Sequence, residues 1–385
     1  MRNRNSILFV QPDYHCSFFY RDEFRKLGWK ADIFAGPGYP ENLLYSKEDL
    51  LRVPCLRGNR FKAIRFLNRI IKIFWWMTKF WQYRFHLYYG RPPQFIYKSL
   101  GLIHLLGKDF LLELSLSKLF GVSLIYLPSG CLDFSPKDRW QKFDNGNVCG
   151  NCGYYDRCDD EVNSLNFNRI RRYFTFGIES GTPFASDEFK QSFRKWKVVD
   201  LSLWHPNLAV PPEHQLPDTD KIRILHSAYL TKSGRDWEGR NIKGSPFVLE
   251  AIDQLKVEGY PVEYFYVQNK PANQMRFYQV QSDIVVEQLI YGWWGSTGVE
   301  SMALGKPVVC YIRPSWKDFF LKTFPEYDGI PVVEADTKTI YEVLRKLVVD
   351  AEYRKNKGIE SRRFAESHFD PRNNTKKLIQ TLKAL

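Results

Sequence analysis

Short apolar runs separated by amphipathic stretches recur along the whole chain. Apolar runs that predict buried strands lie at 7–11, 30–34, 85–89, 123–127, 221–228, 262–267, 282–289, 308–312 and 330–333. Stretches with helical periodicity lie at 18–27, 110–120, 246–256, 299–304, 337–350 and 354–385. Because strands and helices alternate, the pattern predicts an α/β protein built on parallel sheets.

A proline-rich polar stretch at 206–219 divides this pattern into two parts. A chain of 385 residues is long enough for two domains of ordinary size. Each part contains strands and helices in the order that begins a doubly wound sheet. The sequence therefore predicts an N-terminal domain at 1–205 and a C-terminal domain that begins at 206.

The segment at 281–312, QSDIVVEQLIYGWWGSTGVESMALGKPVVCYI, predicts a strand, a glycine-rich loop, a short helix and a second strand. The loop follows the carboxyl end of the first strand, where open α/β sheets bind ligands. The loop residues suited to approaching an anion or capping the helix are Gly295, Ser296, Thr297 and Gly298. Glu300 lies in the first helical turn, where it either accepts hydrogen bonds from sugar hydroxyls or only complements the helix dipole.

The stretch GSTGVESMALGKPVVCYI resembles the C-terminal-domain signature of family-4-like glycosyltransferases of the GT-B fold. The resemblance implies two Rossmann-like, doubly wound parallel-sheet domains that face a crevice. It also implies transfer of a sugar from a nucleotide-diphosphate sugar to a glycan or lipid-linked acceptor, in cell-surface polysaccharide or glycoconjugate synthesis. Glu300 matches the glutamate that binds the donor ribose in that family, whereas Gly292 stands where the family has a second glutamate.

A basic loop at 231–244 precedes the predicted helix at 246–256. Basic side chains ahead of a helix N-terminus suit a diphosphate. The resemblance assigns Arg240 and Lys243 to the donor diphosphate, with Arg235 as the alternative arginine because the loop is long. A solvated basic loop without a ligand is the other interpretation.

On this interpretation the basic loop offsets the negative charge of the leaving diphosphate, so we expect no catalytic metal ion. The resemblance further implies that the last helix, at 373–385, returns to the N-terminal domain. The C-terminal domain at 206–372 would then bind the donor, and the N-terminal domain would bind the acceptor.

Asp13 and His15 follow the first predicted strand, in the loop PDYHCS. A histidine close to an aspartate can serve as a general base. The alternative is an ordinary solvent-exposed loop.

Four cysteines lie in an insertion at 129–160: Cys131, Cys149, Cys152 and Cys158. Two cysteines separated by two residues can chelate one ion, and four thiolates complete a tetrahedral site, so the spacing predicts a structural Zn²⁺. A site with four cysteine ligands has no open position, which favours a structural over a catalytic role. An iron–sulfur cluster or four thiols without a metal are the alternatives.

The formal net charge of +13 is concentrated in one segment. Between Leu50 and Lys108 there are twelve Lys or Arg and no Asp or Glu. Within it, 57–85 predicts an amphipathic helix with Trp76 and Phe80 among the charges. The predicted apolar side is Ile64, Leu67, Ile71, Phe74, Trp75 and Trp81, and the basic side is Lys62, Arg65, Arg69, Lys72 and Lys79.

Such a helix suits an anionic membrane surface, or it packs on its domain with the basic side in water. Basic residues interleaved with aromatics also suit nucleic acid, so a zinc-stapled nucleic-acid-binding protein without enzymatic activity is the rival function. Neither feature matches a known nucleic-acid signature, and nucleic acid is therefore the less favoured partner. With no long apolar run and no signal-peptide core, we expect a cytoplasmic protein, or a peripheral one on the inner face of the cytoplasmic membrane.

Overall fold

The computed structural model describes residues 3–13, 15–35, 50–51, 53–54, 56, 62–90, 110–128, 131, 137–138, 147–177, 197–226, 241–265, 267 and 270–385. Its strands are β1 (Asn3–Val10), β2 (Lys30–Phe34), β3 (Tyr83–Tyr89), β4 (Ser123–Leu127), β5 (Phe176–Gly177), β6 (Ile222–His226), β7 (Val262–Phe265), β8 (Ile284–Gln288), β9 (Val308–Cys310) and β10 (Val333–Glu334). Its α-helices are α1 (Cys16–Lys26), α2 (Lys62–Lys79), α3 (Leu112–Leu119), α4 (Asp160–Tyr173), α5 (Ser245–Val257), α6 (Met275–Gln279), α7 (Ser296–Ala303), α8 (Pro314–Thr323), α9 (Ile340–Val349), α10 (Ala351–His368) and α11 (Pro371–Ala384).

The chain divides into two compact units. Unit 1 comprises Met1–Pro136, Asp159–Trp196 and Pro371–Leu385. Unit 2 comprises Lys137–Cys158 and Lys197–Asp370. The last helix, α11, therefore belongs to unit 1, where it packs against α1.

Each unit is built on a five-stranded parallel sheet, with order β2-β1-β3-β4-β5 in unit 1 and β10-β9-β8-β6-β7 in unit 2. Strands of this kind are apolar on both faces because helices cover both sides of a parallel sheet. All five residues of β8, for example, are buried. The prediction of an α/β protein with two doubly wound parallel sheets is confirmed.

The strand orders reverse direction at one point in each sheet. In unit 1 the chain moves from β1 to β2 on one side and then to β3 on the other. In unit 2 it moves from β6 to β7 and then to β8 on the opposite side of β6. Ligands of doubly wound sheets bind outside the carboxyl ends of the strands at such points. The loops after β1 and β8 are next to these points and are therefore candidates for ligand binding.

Apolar side chains from the strands and helices form a separate core in each unit. The core of unit 1 includes Leu8, Val10, Phe34, Trp76, Tyr88, Leu114, Leu124 and Ile170. The core of unit 2 includes Ile224, Val248, Ile252, Ile284, Val286, Val309, Leu344 and Leu347. Helix α10 packs closely on the end of α7, since a Cβ at Gly358 would lie 2.3 Å from the Gly305 carbonyl oxygen.

Several helix ends follow signals that are visible in the sequence. Asp159 caps α4 by accepting hydrogen bonds from the amides of Glu161 and Val162. Helix α1 is followed by Gly28, whose φ of 78° is in the left-handed region. The predicted helices at 18–27, 110–120, 246–256, 299–304 and 337–350 begin and end within about three residues of observed ones. The helices α4, α6 and α8 have no predicted counterpart, and the stretch at 354–385 forms two helices, α10 and α11.

Helix α2 packs on its core with the side that the sequence assigns to the basic residues. Trp76, predicted among the charges, is buried in the core, whereas Phe74, on the predicted apolar side, is 71% exposed. The interpretation in which the apolar side packs on the domain and the basic side faces water is therefore wrong. Asn68 fixes this orientation, because its buried side chain accepts a hydrogen bond from the Leu56 amide at 2.7 Å and donates one to the Leu56 carbonyl at 3.1 Å. The helix thus has two apolar faces, and periodicity alone does not distinguish the one that packs.

None of the helices described in the structure is long and apolar enough to span a membrane.

Candidate functional site

The loop after β1 leads directly into α1, and its functional candidates are buried. Asp13 is fully buried, and its backbone amide donates a hydrogen bond of 3.0 Å to the Ser17 hydroxyl. His15 is buried at the N-cap of α1, with its ring edge-to-face against Phe19 at 6.2 Å between centroids. The interpretation as a solvent-exposed loop is wrong, because these residues close the first turn of a buried helix. The role of Asp13 and His15 as a general base stays a prediction.

The candidate loop of unit 2 runs from the end of β8 to α7. The helix begins at Ser296, earlier than the predicted 299, and Gly295 is its N-cap. The prediction that Glu300 lies in the first turn is therefore wrong, because three more residues precede it and place it in the second turn. Neither Ser296 nor Thr297 caps the helix, because both lie inside its first turn and no side chain makes a capping hydrogen bond there. The partner of the helix N-terminus comes from the preceding strand.

That partner is Glu287, a buried carboxylate in the middle of the apolar strand β8. It accepts a hydrogen bond from the Gly298 amide in the first turn of α7. A Cβ at Gly298 would lie 2.9 Å from a Glu287 carboxylate oxygen, so the close approach requires glycine at this position. Glu287 was not among the site residues predicted from the sequence. An ionisable residue in an apolar run is nevertheless noticeable, because a buried charge needs a partner or a function.

Lys243 provides the positive charge nearest to this carboxylate. Its ammonium nitrogen lies 3.5 Å from a Glu287 oxygen, and its side chain is 18% exposed. The Asn241 side chain stabilises the turn by accepting a hydrogen bond of 3.0 Å from the Lys243 backbone amide. The Leu289 amide donates a hydrogen bond of 2.9 Å to the Lys243 carbonyl. Lys243 is therefore fixed to the end of β8, as the prediction of a site shared with Glu300 requires.

Glu300 lies in α7, half-buried, and its carboxylate accepts a 2.9 Å hydrogen bond from the side-chain amide of Gln279. Burial raises the pKa of the Glu300 carboxyl to about 7, and repulsion from Glu287 adds to the rise. The Gln279 hydrogen bond and the charges of Lys197 and Lys243 lower the same pKa. At neutral pH this carboxyl is therefore close to its titration midpoint.

Two further residues of the site come from distant parts of the chain. The Lys197 ammonium lies 3.4 Å from the Ser296 hydroxyl at the start of α7. Gln279, at the end of α6, is buried and reaches Glu300 across the site. No local motif marks either residue, because each acts through a partner that is far away in sequence.

His226 at the end of β6 contacts both β8 and the start of α5. Its Nδ1 lies 2.8 Å from the Val286 carbonyl oxygen and its Nε2 lies 2.8 Å from the Ser245 hydroxyl. Burial lowers the pKa of His226 to about 4, so the ring is neutral at pH 7. A carbonyl only accepts, so Nδ1 carries the proton and Nε2 accepts from Ser245. This bond connects the start of α5 to the central strands.

Arg235 and Arg240 lie outside the described residues, as does most of the basic loop predicted to precede α5. The described part of the site therefore contains two ammonium groups, Lys197 and Lys243, and two carboxylates, Glu287 and Glu300. The positive groups and the N-terminus of α7 can attract an anion. The Glu300 carboxylate can accept hydrogen bonds from hydroxyl groups of a ligand.

The structure does not support the predicted zinc site. Among the residues that it describes, no three side chains of His, Cys, Asp or Glu come together as a metal-binding group, and this search includes Cys131, Cys149, Cys152 and Cys158. The turn at the C-x2-C sequence is organised by Asn147 instead, whose side chain accepts the Gly150 amide at 2.7 Å. Without zinc, the rival interpretation as a zinc-stapled nucleic-acid-binding protein also has no structural support.

No family model and no curated protein sequence matches this chain. Solved structures do match it over almost its entire length. Sucrose-phosphate synthase from Thermosynechococcus elongatus aligns with a TM-score of 0.61 and 12% identity, covering 99% of this chain and 98% of that one. Anabaena Alr3699/HepE in complex with UDP and glucose aligns with a TM-score of 0.54 and 13% identity, covering 99% and 100%.

A third match is WaaG, a glycosyltransferase involved in lipopolysaccharide biosynthesis, with a TM-score of 0.50 and 10% identity over 98% of this chain and 99% of that one. Similarity at such low identity establishes the fold and leaves the chemistry to be argued from the residues. The chain has the GT-B fold, as the sequence predicts.

Proposed function

We propose that this protein is a glycosyltransferase that transfers a sugar from a nucleotide-diphosphate sugar to a glycan or lipid-linked acceptor. One observation carries the proposal: the Lys243 ammonium and the Glu300 carboxylate belong to one cluster at the N-terminus of α7, beyond the carboxyl end of β8. A donor of this class has a diphosphate beside a ribose. Its binding site therefore needs a positive charge for the diphosphate next to a group that accepts hydrogen bonds from the ribose hydroxyls.

Positive charge at the diphosphate stabilises the leaving group without a metal ion. Lys243 and Lys197 are within reach of the helix N-terminus, and Arg240, or Arg235, would add a guanidinium from the loop ahead of α5. The negative charge that develops on the leaving diphosphate is greatest in the transition state, so fixed cations there lower the barrier. No catalytic metal is part of this proposal.

Glu300 would accept hydrogen bonds from the ribose hydroxyls in its ionised form. Its position is fixed by Gln279 and by the second turn of α7. The amides around Gly295, Ser296, Thr297 and Gly298 would face the phosphates, although the Gly298 amide is already bonded to Glu287. Glu287 would act through Lys243, since it holds the ammonium at the end of β8.

The acceptor would bind to unit 1, and Asp13 and His15 would be the candidates for removing its hydroxyl proton. They follow β1 at the point where the strand order of that sheet reverses. Anabaena HepE, which has the same fold, is known in complex with UDP and glucose, and this supports a nucleotide-sugar donor here. A role in cell-surface polysaccharide or glycoconjugate synthesis follows from the resemblance and stays part of the proposal.

The test is calorimetric titration of the purified protein with a panel of UDP-, GDP-, ADP- and dTDP-sugars. We expect one of them to bind, and Lys243→Ala to weaken its binding by about tenfold or more, since a charged hydrogen bond to phosphate is lost. Lys256→Ala is the matched control, because Lys256 lies on α5 and is 44% exposed beside Asp253. Equal affinity of the Lys243→Ala and Lys256→Ala proteins would reject the assigned donor site.

A further inference from the structure

Helix α2 of unit 1 exposes a continuous row of large apolar side chains. The row, called here the apolar stripe, consists of Phe66, Leu67, Ile70, Phe74, Met77 and Trp81. Successive members are separated by one, three or four residues, so they lie on one side of the helix and its continuation. Phe66 is 60% exposed and Phe74 is 71% exposed. The opposite side of the helix contains Trp76 and Asn68, which are buried against unit 1.

A row of this size differs from the isolated apolar residues that every protein surface contains. Six large side chains on one face form a contiguous patch, and patches of this kind mark a surface that binds a protein or a membrane. The ends of α3 and α5 show the ordinary situation, since only Leu119 and Phe120 are exposed at the first and only Val257 at the second. The apolar stripe therefore has a binding role to be explained.

The charges around the apolar stripe restrict the partner. Between Leu50 and Lys108 the sequence contains twelve Lys or Arg and no Asp or Glu. Lys62 and Arg65 in the first turns of α2 are exposed, and Lys72 and Lys79 are half-buried further along. The Debye length of about 8 Å at physiological salt is comparable to the width of a helix, so these charges act on anything that contacts the stripe.

A second copy of this chain is a poor partner for the stripe, because two segments with only positive charges would repel each other. Nucleic acid fits less well, because only the three aromatic members of the stripe can stack on bases. Leu67, Ile70 and Met77 would gain little from contact with bases or phosphates. A phospholipid surface with anionic headgroups satisfies both features, because it accepts apolar side chains below a layer of negative charge.

We propose that the apolar stripe of α2 docks this protein on an anionic phospholipid surface. The helix would lie in the plane of the interface with Phe66, Ile70 and Phe74 among the acyl chains. Trp81 would lie at the headgroup level, where amphipathic rings are favoured. Lysine and arginine side chains would reach the phosphates with their long stems. This inference concerns unit 1 alone and does not depend on the proposed transfer activity.

The first experiment is flotation of the full chain with two kinds of vesicle, one of phosphatidylcholine and one that also contains phosphatidylglycerol. We expect binding to the anionic vesicles and little to the neutral ones. Ile70→Ser combined with Phe74→Ser should reduce the anionic binding by about tenfold or more, since two large apolar side chains would no longer be buried among the acyl chains. Leu119→Ser is the matched control, because Leu119 is an exposed apolar residue of the same unit that lies outside the apolar stripe. This variant should bind like the unmodified protein.

The second experiment changes the charge and leaves the stripe intact. Lys62→Glu with Arg65→Glu should weaken anionic binding severalfold or more, because attraction of two side chains to the anionic headgroups is replaced by repulsion. The helix itself should persist, since acidic residues are favourable in a first turn, and far-ultraviolet circular dichroism checks this. Two flotation results would overturn the proposal: no flotation of the unmodified protein, or equal flotation with both vesicle types. A sedimentation experiment would also overturn it if the unmodified protein were a dimer and the double serine variant a monomer.

Discussion

Gln279 donates a 2.9 Å hydrogen bond to the Glu300 carboxylate from a fully buried position at the end of α6. The two residues are 21 positions apart and lie on different helices. The bond lowers the pKa of a carboxyl that burial otherwise raises to about 7. The ionised fraction of Glu300 at neutral pH therefore depends on Gln279.

Gln279→Leu should move the pH dependence of donor binding to higher pH. Loss of the hydrogen bond removes an interaction with the ionised form, so the midpoint should rise by roughly 0.5–1 pH unit. Calorimetry from about pH 5.5 to about pH 9, roughly two units on each side of the midpoint, measures the donor affinity. The two proteins are compared by the pH at which half of the affinity change has occurred. A purely structural role would lower affinity equally at every pH, and that result would contradict the positioning role of Gln279.

Glu300→Gln should stabilise the fold in mildly alkaline solution. The folded-state pKa of about 7 lies above the ordinary value of 4.5, so the native protein holds a proton that the unfolded chain releases. The unmodified protein should therefore lose stability as pH rises from 4.5 through 7, by an amount on the order of 1–3 kcal/mol. Urea unfolding at several pH values should show this slope in the unmodified protein and its loss in Glu300→Gln.

Lys243→Ala should destabilise unit 2 as well as weaken donor binding, because it leaves the Glu287 carboxylate buried without its ammonium partner. We expect a loss of about 1–3 kcal/mol in the free energy of unfolding. Adding Glu287→Gln should recover much of the stability, since a neutral amide is cheaper to bury, but should not recover donor binding. Urea titration of the two single variants and the double variant measures the coupling, and additive losses would show that the ion pair has no energetic role.

Gly298→Ala should be strongly unfavourable. The added Cβ would lie 2.9 Å from a Glu287 oxygen and 2.9 Å from the Trp294 Cβ, so the strand or the helix must shift. We expect a loss of about 1–3 kcal/mol. Gly329→Ala is the control, because a Cβ there meets nothing within 4 Å, and its effect should stay within about 0.5 kcal/mol. Thermal unfolding of both variants makes the comparison, and equal midpoints would contradict the close approach.

Local patterns in the sequence were sufficient for the sheets and for part of the site. Apolar runs located most strands, and the glycine-rich loop together with the resemblance identified Glu300 and Lys243. Gln279 and Lys197 could not be assigned from the sequence, because each gains its role from a residue that only the folded chain brings near. Glu287 does carry a signal, as an ionisable residue in an apolar run, but only the fold identifies its partners. The packing side of α2 stayed open for a related reason: the contact between Asn68 and the Leu56 backbone selects one of two apolar faces.

The position of β8 in its sheet affects how the site fluctuates. β8 is the middle strand of five, with β6 and β9 bonded along its two edges. A central buried strand opens only when most of the domain opens with it, so its amides should be among the slowest in unit 2 to exchange with deuterium. Glu287 is part of that strand. The carboxylate that pairs with the Lys243 ammonium is therefore held by one of the segments of the unit that open most slowly.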